Sequence, residues 1–378
     1  MARVNVSKDV LLWALERSDK TPTNLQAKFP KIMQWLSGEI HPTVKQLETF
    51  AKTTLTPFGF FFLSKPPVEE LPIPHFRTIN DDRTKKPSAN LLETINIIQR
   101  RQFWLREHLL EEGQNPFSFV NSVQTQDNSE DIANYIRETL GLPKKWAASC
   151  NSWENALVYL RDVIERVGIF TVINGIVGND THRKLDYKEF RGFVLVDEYA
   201  PFIFINGSDY KAAQMFTIAH ELGHIFLGSS AAFDLRNLQP ANDPIEIKCN
   251  QIAAEFLIPS DELSEQWKTV KNTQEPFQRI ARRFKVSVLV AARRALDSRL
   301  IDKNQFFDFY NKYKVDERRK KSEKPKGGHF YNNQNNRVGR RFGLMVARAA
   351  KEGKLLYSDA FQLTGIYGKT FDKYISML

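Results

Sequence analysis

Apolar positions in the first sixty residues recur at helical spacing, in short runs broken by proline and glycine. Val10, Leu11, Ala14 and Leu15 give a first helix one apolar stripe. A second helix runs from about Pro22 to Phe29, and Pro30 ends it or opens the next. The third closes at Trp35-Leu36-Ser37-Gly38-Glu39 with Gly38 as cap. Thr43 and Gln46 are spaced as a capping box for a fourth, which carries Leu47, Phe50 and Ala51, and Pro57 opens a last turn from Phe58 to Phe62. Residues 1–63 therefore read as a compact helical bundle. Residues 64–87, with Pro66, Pro67, Pro72, Pro74 and Pro87, read as a linker.

A long helix follows from Ser88 to Glu112, with Leu91, Ile95, Ile98, Leu105 and Leu109 on one face and Gly113 closing it. Its outer face, with Arg100, Arg101, Arg106 and Glu107, is expected in solvent. Further helices are predicted over Ser129–Leu140 and Asn151–Val167, the second capped by Asn151 and Glu154. From Gly168 the texture changes to strands: Ile169 to Ile173, Gly192 to Val196 and Phe202 to Ile205, the last two joined as a hairpin. Another helix begins at Lys211. Read as an edge, the strand before it could add an extended peptide, while the plainer reading is a small sheet covering that helix. Downstream, an Asn272-x-x-Glu275 cap precedes a helix with Phe277, Ile280, Ala281 and Phe284. Val286-Ser287 starts one with Leu289, Ala292 and Leu296. Residues 261–316 either complete the preceding core or form a winged-helix-like module. Residues 317–329 read as a basic linker, and 330–378 as two closing helices, Phe342 to Gly353 and Ser358 to Leu378. The expected fold class is α+β, mostly helical, with a small sheet in a domain over 88–260.

Composition narrows the class without naming a function. The 378 residues are 42% hydrophobic and 26% charged, as in an ordinary globular protein. No targeting signal or membrane-spanning run is present, so a cytoplasmic protein without a membrane partner is expected. Two cysteines, Cys150 and Cys249, make no disulfide framework and fit a reducing compartment. Part of the net charge of +10 sits in Arg318 to Lys321 and Arg337 to Arg341, read first as solvated linkers, with a surface for nucleic acid or an acidic partner as the alternative.

Candidate chemistry centres on Phe216-Thr217-Ile218-Ala219-His220-Glu221-Leu222-Gly223-His224. Four residues apart on a helix, His220 and His224 leave one face a turn apart, as two nitrogen ligands of one zinc require. Glu221, beside the first histidine, is placed to take a proton from water at the metal. A catalytic zinc takes three protein ligands. A third histidine close downstream is excluded, because the next after His224 is His329. The next helix, from Glu246 to Pro259, offers Glu246, with Asn250 four residues on and able to steady a histidine. Asp243 and Glu255 stand as alternatives, and Cys249 is read as core.

These motifs carry two resemblances. The string Trp35-x-Ser37-Gly38-Glu39, then Pro42-Thr43-x-x-Gln46-Leu47-x-x-Phe50-Ala51, resembles the N-terminal helix-turn-helix of phage-repressor-like regulators. There Lys28, Lys31 and Gln34 would be the DNA contacts. His220-Glu221-Leu222-Gly223-His224 with Glu246, Asn250 and Ala253-Ala254-Glu255-Phe256-Leu257-Ile258-Pro259 closely resembles the ImmA/IrrE family of metallo-endopeptidases, from about Ser152 to Pro259. That resemblance implies a zincin-like zinc peptidase with His220, His224 and Glu246 as ligands and Glu221 as base. Its implied substrate is a helix-turn-helix repressor controlling stress, mobile-element or defence genes. Peptidases with these ligands steady the oxyanion with a His or Tyr, for which His329 and Tyr331 are the candidates. The competing expectation is a DNA-binding regulator, or an antitoxin-like partner of a co-encoded toxin, with an idle metal site.

Overall fold

The computed structural model describes residues 2–69, 87–229, 231–233, 243–315 and 330–378. Most of the 64–87 linker, the basic 317–329 linker and His329 lie outside the described residues. The described residues form two compact units, one of residues 2–69 with 87–95 and one of the described residues from 96 to 378.

In the first unit α1 (Lys8–Arg17), α2 (Pro22–Leu25), α3 (Ile32–Ser37) and α4 (Val44–Thr53) precede a 3-10 turn, Phe58–Phe62. The apolar stripes read from the sequence form its core: Val10, Leu11, Ala14, Leu15, Leu47, Phe50 and Ala51 are all buried together with Phe61. Gly38 caps α3 with a left-handed φ of 79°, and Thr43 and Gln46 make the expected capping box. Lys28 and Lys31 are exposed and Gln34 half-buried; the Lys28 ammonium bonds the Thr53 hydroxyl at 2.9 Å.

Helix α5 (Ala89–Glu111) crosses the boundary between the units. Its outer face is not all in solvent: Arg101 is buried, donating to the carbonyls of Leu363, Arg337 and Val338. The sequence shows the polarity of a position but not the carbonyls that wait for it. The second unit continues with α6 (Ser129–Thr139), α7 (Trp153–Arg166), β1 (Phe170–Asn174), β2 (Ile176–Val177), β3 (Asp180–Lys184), β4 (Gly192–Leu195), β5 (Phe202–Asn206), α8 (Lys211–Leu227), β6 (Ala231–Phe233) and α9 (Pro244–Leu257). After these come α10 (Ser260–Val270), α11 (Pro276–Phe284), α12 (Val288–Asp297), α13 (Lys303–Val315), α14 (Phe330–Gln334), a π-helical turn Asn335–Gly339, α15 (Arg340–Lys351), α16 (Tyr357–Thr364) and α17 (Gly368–Ile375). The fold is α+β and mostly helical. Two caps differ from expectation: Ser152, not Asn151, caps α7 by accepting from the Asn155 amide, and α11 starts on Pro276 without a side-chain cap.

The main sheet has the order β1-β5-β4-β6, with β1 parallel to β5 and the other pairs antiparallel; β2 and β3 form a separate hairpin. The expected 192–205 hairpin is present. Its second strand, however, is internal rather than an edge, because β1 and β4 take both sides of its backbone, so no peptide can add there. Residues of α10, α11 and α12, including Leu263, Val270, Ile280, Phe284 and Ala291, share one core with Ile218 and Leu222 of α8. These helices complete that core. The basic run at 337–341 is no solvated linker either: Arg341 lies over the Phe170 ring at 5.1 Å and Arg337 donates to Asn179. The segment read as one closing helix from Ser358 breaks into α16 and α17 at Gly365, whose φ is 70°. Among the described residues no helix is long and apolar enough to cross a membrane.

Candidate metal centre

Helix α8 has no exposed face over its central thirteen residues: every side chain from Gln214 to Phe226 is buried. Such a helix belongs inside a core, here between sheet and helices. The left-handed Gly228 ends it, returning its amide to the carbonyls of His224 and Ile225. Helix α9 packs directly on α8 because Gly223 has no side chain; a Cβ there would lie 3.3 Å from Cys249 Sγ and 3.4 Å from Cys249 Cα. That close approach carries the 246–250 face of α9 to the two histidines.

Three side chains converge. The Nε2 atoms of His220 and His224 are 3.0 Å apart, Glu246 Oε2 is 3.2 Å from the first, and its Oε1 is 3.3 Å from the second. Two donors bonded tetrahedrally to one zinc at about 2.0–2.1 Å stand about 3.3–3.4 Å apart, so these separations fit the ion closely. His220 Nδ1 lies 3.2 Å from Asn250 Oδ1. With its Nδ1–H donated there, neutral His220 turns a lone pair on Nε2 towards a carboxylate. That arrangement repels unless a cation lies between them. Cys249 completes a buried His220–His224–Cys249 group whose ligand atoms all lie within 4.8 Å of one another and which can hold a metal ion.

Burial drives the electrostatics. It lowers the His220 pKa to about 4, against the opposing hydrogen bond and charge of Glu246, so the ring is neutral at pH 7. Burial, then the Glu246 charge, pushes Glu221 well above the usual carboxylate range. Burial, followed by the nearby Glu246, Glu221 and Asp243 charges, does the same to the Cys249 thiol. Neither oxygen of Glu221 has a hydrogen-bond partner among the described residues. Its carboxyl sits by β4, where a Cβ on Gly192 would lie 3.3 Å from Oε1 and 2.6 Å from Thr217 Cγ2.

The alternative third donors are occupied elsewhere. Asp243 caps α9 through the Ile245 amide at 2.9 Å. Glu255 accepts from the Ser260 amide and hydroxyl and pairs with Arg294. Tyr331, on α14, has the Lys373 ammonium 4.8 Å from its ring and the Phe330 ring at 5.1 Å. Cys249, which could in principle bind zinc but reads as core in the sequence, lies beside the two histidines, and the room made by Gly192 and Gly223 was missed. The nearness of Cys249 had a signal, since Glu246 and Cys249 are spaced i, i+3 on one helix. The room needed the docking of α9 and β4 against α8.

The helical core with its small sheet is of α+β class and buries a group of side chains that can hold a metal ion. Residues 164–296 match the family model of the IrrE N-terminal-like domain, Peptidase_M78, which supports a metallopeptidase of the IrrE/ImmA type. Residues 338–377 match a domain of unknown function, DUF8813. No curated protein matches the chain.

Proposed function

We propose that the chain is a zinc endopeptidase acting on a regulatory protein, of which a helix-turn-helix repressor is the leading candidate. One observation carries this reading: three metal donors converge beside a buried carboxyl, Glu221, that makes no hydrogen bond among the described residues. His220, His224 and Glu246 would hold zinc, and Asn250 would fix the His220 tautomer. Bound there, zinc supplies Lewis acidity towards a peptide carbonyl and makes water acidic near neutral pH. Glu221 accepts the proton and returns it to the leaving amine. Its raised pKa suits that exchange, and a cation held by the three donors favours its ionised form. The reading sets the work in the cytoplasm, where a repressor is met. Glu221→Gln should keep one equivalent of zinc and lose cleavage of a neighbouring-gene repressor by at least about 10²-fold. Cleavage that survives the change removes Glu221 as base.

Cys249 favours a second reading. A fourth protein donor would close the site, as in structural zinc sites, and leave a DNA-binding regulator or the antitoxin-like partner of a co-encoded toxin. Cys249→Ser separates the two: an open catalytic site keeps its zinc and turnover, whereas a closed site loses the metal.

A further inference from the structure

Two helix pairs in the second unit share one geometry. Between α11 and α12 the turn is Lys285-Val286-Ser287, and between α16 and α17 it is Gly365-Ile366-Tyr367. Each turn opens on a left-handed residue, Lys285 at φ 54° and Gly365 at φ 70°. Each returns that residue's amide to the carbonyl four before it, and each buries its middle residue, Val286 or Ile366. A three- or four-residue turn between two helices is the connection found in helix-turn-helix units, whose second helix reads DNA.

The second helices differ in what their outer faces do. On α12, Arg294 is spent on Glu255 and on the Ile258 carbonyl, Arg293 on Asp297, and Ala291, Ala292 and Ala295 are buried. On α17, Lys369, Asp372 and Lys373 are exposed, with Ser376 just past its end and Tyr367, 64% exposed, just before its start; the Lys373 ammonium also lies 4.8 Å from the Tyr331 ring. The inner face of α17, Phe371 and Tyr374, is held firmly. Phe371 meets Phe361 of α16 edge-on at 5.2 Å, and a Cβ on Gly343 of α15 would lie 2.4 Å from the Tyr374 hydroxyl. Of the exposed charged side chains between residues 340 and 376, six are basic and three acidic. The match to residues 338–377 spans α15 to α17, so this three-helix unit recurs as a module.

We propose that α16 and α17 form a helix-turn-helix that binds duplex DNA, with α17 in the major groove. An α-helix with its side chains is about 10–12 Å across and fits a groove about 12 Å wide. Lys369 and Lys373, one turn apart, supply cations for phosphates or guanine edges, and Asp372 supplies an acceptor for cytosine. The assignment is independent of the peptidase reading and of the N-terminal bundle, where α2 has four residues and α3 six.

The test uses the full chain and a fluorescent 30-base-pair duplex of mixed sequence, followed by anisotropy from about 50 to 200 mM salt. Wild type should bind. Lys369→Glu with Lys373→Glu should weaken binding at least tenfold and flatten the log–log salt slope by about two, and Tyr367→Ala should weaken it as well. Lys268→Glu with Lys271→Glu, an equal charge change on exposed lysines elsewhere in the second unit, should shift binding less than twofold. The proposal is overturned by a wild type that does not bind the duplex at 50 mM salt, by α17 variants that bind like wild type, or by an equal loss from the Lys268/Lys271 pair, which would make the α17 effect one of net charge alone.

Discussion

His220 and His224 turn their Nε2 atoms to one point, yet they are held differently. His220 has Asn250 behind it, while His224 Nδ1 is buried with no hydrogen-bond partner among the described residues. Partners behind a ligand fix its ring and tautomer and change metal affinity by about 10–100-fold. On the proposal that these side chains hold zinc, Asn250→Ala should weaken its binding by about that factor in a chelator competition, with the helix content unchanged. An equal affinity would remove Asn250 from the site. This much was legible in the sequence because it is local: His220/His224 and Glu246/Asn250 are each four apart on a helix. Whether Asp243 or Glu255 would compete was not legible. Their occupation by the Ile245 amide, by Ser260 and by Arg294 appears only when α9 has docked on its neighbours.

Among elements, β4 and α8 meet where Gly192 leaves room for Thr217 and Glu221. A Cβ at 192 would also stand 2.8 Å from the Phe204 carbonyl, which is backbone and cannot swing away. Gly192→Val should destabilise the fold by about 1–3 kcal/mol in urea unfolding, the usual cost of overpacking, and should disturb the Glu221 carboxyl first. A variant as stable as wild type would mean the strand moves freely. The sequence marked the hairpin, because its strands are short β-branched and aromatic runs bounded by turn residues. It did not mark β5 as internal, since its second neighbour, β1, lies some thirty residues upstream in the chain and pairs in parallel. The short strands β2, β3 and β6 were missed as well: with two to five residues each, they offer too little alternation to read.

For the whole molecule, the C-terminal helices belong to the same unit as the metal centre. Arg101 ties them to α5, and its burial lowers its pKa to about 10, still charged at neutral pH. Arg101→Leu leaves the carbonyls of Leu363, Arg337 and Val338 without their donor, at about 1–3 kcal/mol for a buried group so orphaned. A loss of about 1–3 kcal/mol in unfolding free energy, read as a lower urea midpoint, is expected; an unchanged midpoint would mean that water replaces the guanidinium. Domain-scale packing of this sort is the least legible part of a sequence, because a buried arginine and an exposed one are written with the same letter. The helix that carries the metal motif has a further consequence. With no face in water from Gln214 to Phe226, its amides can exchange hydrogen for deuterium only when the surrounding core opens. The slowest-exchanging amides of the second unit should therefore lie around His220 and His224, and their rate would report how firmly the whole core is closed.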